Sequence, residues 1–138
     1  MNILFFLTPK QDVSFVYDDY TIEQALQVME RHRYKAIPVL RRNGSYAGTL
    51  TEGDLLWGIR RIHDGDFQKA AKESLGSIAH HKDNSPVLAS TSMDDLLEKA
   101  EQQSFVPVID DRGMFIGIIT RRSILKYLTE KISPEYKG

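Results

Sequence analysis

Two short stretches carry the side chains that point to chemistry: Gly48-Thr49-Leu50-Thr51-Glu52-Gly53-Asp54 and Gly117-Ile118-Ile119-Thr120-Arg121-Arg122-Ser123. In each, a Gly opens a short apolar strand, a Thr closes it, and a polar side chain stands three residues beyond the Thr. An apolar helix follows, from Leu55-Leu56-Trp57 in one copy and from Ile124-Leu125 with Tyr127-Leu128 in the other. A Thr at a strand-to-helix junction is a good N-cap, and the free backbone N–H groups behind it form a ready anion site. The pattern therefore points to a phosphate-bearing small molecule. Thr51-Glu52-Gly53-Asp54 also satisfies a capping box, in which Asp54 does no more than close a helix terminus. Arg121 and Arg122 fall in a first helical turn, where positive charge opposes the helix dipole. An anion bound there relieves that placement; the alternative is two solvated arginines.

The elements that position these residues repeat as well. Val13-Ser14-Phe15-Val16-Tyr17 predicts a short strand, and Thr21 caps an amphipathic helix with Ile22, Ala25, Leu26 and Met29 on one face. Ala36-Ile37-Pro38-Val39-Leu40 predicts a strand whose Pro end lies at a sheet edge, because Pro cannot donate to a ladder. Arg41-Arg42-Asn43-Gly44 predicts a hairpin, and a strand from Tyr46 to Leu50 leads to the helix after Thr51. The second half repeats the order: strand at Val87-Leu88-Ala89, capped helix from Ser92 with Met93, Leu96, Leu97 and Ala100 on one side, strand at Val106-Pro107-Val108-Ile109, and hairpin at Asp110-Asp111-Arg112-Gly113.

Pro38 and Pro107, Gly44 and Gly113, Gly48 and Gly117, and Thr51 and Thr120 are each 69 residues apart, while the helices align at 71, Ile22 with Met93 and Leu26 with Leu97. An internal repeat of this kind fixes the fold more firmly than any single motif. The expected fold is mixed α/β (α+β), two pseudo-symmetric repeats of strand-helix-strand-strand-helix type packed through their sheets, with two equivalent clefts. The expected division is a first repeat over 1–62, a helical connector and lead-in over 63–84 with helix-forming content from Phe67 to Leu75, a second repeat over 85–130, and a tail over 131–138.

Composition narrows the function. With 138 residues, 41% of them hydrophobic, the chain has enough apolar material for a core. Charged residues make up 27% and the net charge is −1, so there is no basic surplus to track a nucleic acid or a membrane surface. No Cys is present, which excludes disulfides, thiol catalysis and Cys-type zinc sites. Ile3-Leu4-Phe5-Phe6-Leu7 is too short to span a bilayer and reads as the first packed segment of a cytoplasmic protein. His80-His81 do not make a metal site, since adjacent side chains in extended chain point opposite ways. Trp57 and Phe67 are expected to pack the helices, and Lys10, Arg41 and Arg42 to be solvated. No Walker lysine, nucleophile elbow or metal triad is present, so the chain reads as no enzyme.

At Ala36-Ile37-Pro38-Val39, Phe105-Val106-Pro107-Val108, the two Gly hairpins and the Gly-x-x-Thr-x-x-Asp of Gly48 to Asp54, the chain resembles the cystathionine-β-synthase (CBS) domain in its tandem pair, the Bateman module. Phe6-Leu7-Thr8-Pro9 is similar to the segment with which many such domains begin. The resemblance covers nearly the whole chain and implies a stand-alone pair that binds adenosine-containing ligands in two clefts.

By that resemblance, the first cleft takes Thr51 and Asp54, with Asp54 on the ribose hydroxyls, together with Asn84, Ser85, Ser104, Phe105 and Val106. The second takes Thr120, Arg121, Arg122 and Ser123, facing Val13, Ser14, Tyr34, Lys35, Ala36 and Ile37. Ser123 stands where the pattern has Asp, which makes a weaker ribose contact; Arg121, Arg122 and Lys35 supply cations for phosphate. The implied ligands are AMP, ADP or ATP, with cyclic di-AMP or S-adenosylmethionine as rivals and no required cofactor. The implied partners are a second copy, as a homodimer through the helices, and an effector protein. The alternative class is an interaction module whose ligand sites have decayed.

Overall fold

The computed structural model of the chain describes residues 2–78 and 84–132, the side chain of Ile132 excepted. His80-His81 lie outside the described residues. Among the described residues seven strands and five α-helices follow in chain order: β1 (Thr8–Pro9), β2 (Val16–Tyr17), α1 (Ile22–His32), β3 (Ala36–Leu40), β4 (Tyr46–Thr51), α2 (Glu52–Arg61), α3 (Phe67–Ala70), β5 (Val87–Leu88), α4 (Met93–Gln102), β6 (Phe105–Ile109), β7 (Phe115–Thr120) and α5 (Arg121–Ile132). They form two compact units. The first gathers residues 14–78; the second gathers 84–132 and takes residues 2–13 from the start of the chain.

In the first unit the sheet order is β2-β3-β4, with β2 parallel and β4 antiparallel to β3. The predicted first strand shrinks to Val16–Tyr17, which pair with Val39 and Leu40. Pairing on that side begins beyond Pro38, so the missing N–H falls where no β2 residue stands opposite, as the Pro requires. The hairpin forms, but not as a two-residue Asn-Gly turn. Gly44 N donates to Arg41 O at 2.9 Å and Gly44 alone takes the left-handed conformation, φ 92°, so the loop is a turn over Arg42-Asn43 closed by Gly44. The second hairpin repeats this with Gly113 at φ 80°.

The second unit has the order β1-β7-β6-β5, and β6–β7 pairs residue for residue like β3–β4: Pro107 faces Ile118 as Pro38 faces Thr49. The helices begin as their caps dictate. Thr21 and Gln24 form a full capping box on α1, and Ser92 accepts from Asp95 N on α4.

The unit boundaries depart from the expected 1–62, 63–84 and 85–130. The first unit's core of Val16, Ile22, Ala25, Met29, Ile37, Val39, Leu50 and Leu55 is completed by Leu75 and Ile78 from the stretch expected to be a connector. The second unit's core of Val87, Leu96, Val106, Val108, Ile119 and Ile124 is completed by Ile3 and Phe6. Ile3 and Phe6 lie in a 3-10 turn capped by Asn2, and Leu75 opens a 3-10 turn capped by Ser74. The turn ahead of each repeat is thus packed into the unit of the other. Burial drives this: each of these side chains contributes about 1.5–3 kcal/mol when removed from water.

The stretch from Phe67 to Leu75 is helical only over Phe67–Ala70. Its continuation instead satisfies the first turn of α1, where Ile22 N donates to Glu73 O and Glu23 N to Ala71 O.

Candidate functional site

Thr51 closes β4 and caps α2. Its hydroxyl accepts from Asp54 N at 3.0 Å while Asp54 Oδ2 accepts from Thr51 N at 2.9 Å, a reciprocal box. Asp54 is 3% exposed. The capping role is therefore realised, and it holds the buried carboxylate in one orientation at the helix N-terminus. At the matching junction Thr120 Oγ1 accepts from Ser123 N at 3.1 Å, and Ser123 Oγ turns back to donate to Thr120 O at 2.8 Å. A serine hydroxyl closes the α5 terminus without bringing a charge.

The two arginines behind Thr120 separate. The Arg121 guanidinium donates through Nε to Ala100 O and through a terminal nitrogen to Glu101 O at 3.0 Å. Those carbonyls belong to the last turn of α4, where a cation complements the helix dipole. Arg121 is exposed, but its guanidinium is engaged by these carbonyls and joins α5 to α4. Arg122 is exposed.

Asn84, Ser85, Ser104, Phe105 and Val106 are brought together inside the second unit. The parallel register that sets Val87 against Val108 carries Ser85 toward Val106. Asn84 Nδ2 donates to Phe105 O at 2.8 Å and to Ser104 Oγ at 3.4 Å. At the centre lies Gln103, buried at 4% exposure and not foreseen from the sequence. Its Oε1 accepts from Ser85 N and Oγ, and its Nε2 donates to Ser85 O and Phe105 O. Lys99, also not foreseen, places Nζ 2.6 Å from Ser85 Oγ. The side chains of Phe105 and Val106 are buried, so they offer backbone and a floor rather than polar contacts.

Val13 belongs to the second unit, and Ser14, Tyr34, Lys35, Ala36 and Ile37 to the first. The β2–β3 register carries Ser14 toward Ile37. Ile37 is buried in the core; Tyr34 is exposed and stacks on His32 with ring centroids 5.3 Å apart. Lys35 is exposed, and its carbonyl accepts from Glu52 N at 3.0 Å. Trp57 and Phe67 are each 52% exposed, against the expectation that they pack between helices. Phe67 lines a groove of about 1020 Å³ between α1 and α2, with Leu26, Met29, Tyr34, Leu55 and Leu56. Arg42 is exposed as expected, yet it pairs with Asp19 at 2.7 Å and lies 4.0 Å over the Tyr17 ring.

Among the described residues no three His, Asp or Glu side chains gather as metal ligands, and no helix is long and apolar enough to cross a membrane.

These features define a pair of α/β units, each a small sheet with its helices and a Thr-capped strand-to-helix junction. The CBS domain profile matches twice, over residues 7–61 and 77–130, and the chain belongs to the CBS-domain family. Cyclic di-AMP receptor B of Bacillus subtilis (strain 168) is 30% identical over 132 residues, covering 92% of this chain and 86% of that protein. Among solved structures, CbpB in complex with c-di-AMP superposes with a TM-score of 0.85 at 22% identity, over 94% of this chain and 85% of that one. CBSX2 in complex with AMP superposes with a TM-score of 0.72 at 24% identity, over 94% and 96%. At these identities both structures speak for the fold. The chain spans 46%, 22% and 60% of the length of three further curated relatives, one of them named for an enzyme.

Proposed function

We propose that this protein is a non-catalytic regulatory module that binds an adenine nucleotide of the AMP, ADP or ATP class. The observation that carries the reading is Asp54: a buried carboxylate, fixed by Thr51 at a helix N-terminus, in a member of a family with adenosine-ligand receptors among its relatives. Asp54 would accept the ribose hydroxyls, with Thr51 near phosphate, and the Asn84–Val106 segment is the further group proposed for ligand contact. S-adenosylmethionine fits the same ribose contact. Binding that favours one arrangement of the repeats over another would pass to an effector protein as differential affinity. The exposed apolar residues of α2 and α5, Leu56, Trp57, Leu125 and Leu128, support a homodimer through the helices. Adenine nucleotides are intracellular metabolites, so the reading places the protein in the cytoplasm.

A second reading, cyclic di-AMP reception, is favoured by the 30% identity to cyclic di-AMP receptor B and by Ser123 beside the exposed Arg122. The two readings divide on variants. Asp54→Asn keeps an oxygen for Thr51 N and loses the charge, so AMP affinity measured by calorimetry should fall about tenfold with the melting temperature little changed. Arg122→Ala should leave AMP binding intact and, under the second reading, weaken cyclic di-AMP by a similar factor. AMP binding indifferent to Asp54→Asn would remove the ribose role.

A further inference from the structure

We propose that Lys99 is the phosphate-recognising cation of the Asn84–Val106 half of the site, and that it makes this site selective for phosphate-bearing nucleotides over uncharged adenosine. The proposal rests on the nucleotide-binding reading above. The residues assigned to this half, Asn84, Ser85, Ser104, Phe105 and Val106, are all neutral, and so is the Gln103 amide that ties them together. A phosphate held there needs a positive charge, and the ammonium of Lys99 is the one the structure sets against Ser85.

Lys99 stands in the last turn of α4, half-buried, with Nζ 2.6 Å from Ser85 Oγ. The Ser85 hydroxyl donates onward to Gln103 Oε1 at 2.9 Å, so it can only accept from lysine, and the ammonium is fixed in direction. Among the described residues Lys99 has no carboxylate within ion-pair distance; the ion pairs present there are Arg42–Asp19 and His63–Glu73. Two of its three N–H donors therefore remain for an anion. A half-buried ammonium without a counter-charge is costly unless an anion completes it.

The position also breaks the repeat. At the helical spacing of 71 residues, Lys99 corresponds to Val28 and Ser85 to Ser14, so a lysine at this helix position belongs to one unit only. The other wall carries its cation at a different place, Lys35, which matches Ser104 at the strand spacing of 69; the Lys99–Ser85 contact lies in the unit whose own junction offers Ser123 rather than an Asp.

A bland alternative is a strut: Lys99 holds Ser85 against α4 and complements the helix C-terminus. The two roles separate by ligand. Loss of a strut distorts the wall and weakens adenosine and AMP alike, whereas loss of the phosphate contact spares adenosine. The experiment is calorimetric titration of the full chain with AMP and with adenosine, on the wild type, Lys99→Met, which keeps the apolar stem, and Lys99→Arg, which keeps the charge. The expected result is an AMP affinity lowered about tenfold or more in Lys99→Met, adenosine within about twofold of the wild type, and the preference for AMP kept in Lys99→Arg. Equal loss for both ligands, or no loss for AMP, overturns the role of Lys99 while leaving the nucleotide reading in place. Failure of the wild type to bind either ligand overturns both.

Discussion

Tyr46 shows how far one residue's environment can be read physically. It sits at the start of β4, hydrogen-bonded to Thr49, and burial pushes its phenol from the ordinary 10.0 up to about 12. The folded chain therefore holds this proton more tightly than the unfolded chain. The stability so contributed is complete below pH 10 and is lost as pH rises toward 12. Its size is about 3 kcal/mol. Denaturant melts of the wild type should weaken by roughly that amount more than those of Tyr46→Phe between these two limits; parallel pH profiles would show that the phenol is not desolvated. Charged side chains were harder to place from the sequence. Arg121 and Arg122 are adjacent, alike in type and both exposed, and only the hydrogen bonds to the Ala100 and Glu101 carbonyls mark Arg121 as the one that joins two helices. Gln103 was missed because a Gln at the end of a helix carries no signal of its own; its role comes from Ser85, which is 18 positions away.

The elements were legible wherever a local rule fixes them. Thr21, Thr51 and Ser92 cap helices because their hydroxyls satisfy N–H groups a turn ahead, and both X-Pro strands lie beside β-hairpins closed by Gly. What no local rule announces is the pairing of β1 with β7, where Thr8 faces Ile118 and Pro9 faces Gly117. Gly117 makes that contact sterically possible: a Cβ there would stand 2.2 Å from Thr8 O and 2.8 Å from Leu7 Cδ1. Gly117→Ala should therefore cost about 3 kcal/mol and raise amide exchange selectively over residues 3–9. Gly113 is left-handed at φ 80° with nothing within 4 Å, so Gly113→Ala should cost only about 1 kcal/mol and leave that exchange unchanged. Equal effects from the two would remove close approach as the reason for Gly117.

At the scale of the whole molecule, the repeat gave the architecture and concealed its bookkeeping. The 69-residue spacing of Pro, Gly and Thr is a property of matched hairpins and identifies two equivalent units. The exchanged lead-ins, Ile3 and Phe6 in one core and Leu75 and Ile78 in the other, follow a spacing of 72 and only two apolar positions each, too little pattern to assign a partner from sequence. Each unit is therefore completed by residues lying ahead of the opposite repeat, and a cut at residue 62 would strip Leu75 and Ile78 from the first core. The site has the same character: its Thr-capped junctions were legible, and its Gln103–Lys99–Ser85 network was not. On the proposed function, this CBS pair binds an adenine nucleotide. The most direct test of that function is calorimetric titration of the wild-type chain with AMP, ADP, ATP, S-adenosylmethionine and cyclic di-AMP, after removal of co-purified ligand. Saturable micromolar binding of an adenine mononucleotide is expected; no heat from any of the five at millimolar concentration would contradict the proposed function and leave an interaction module with decayed sites.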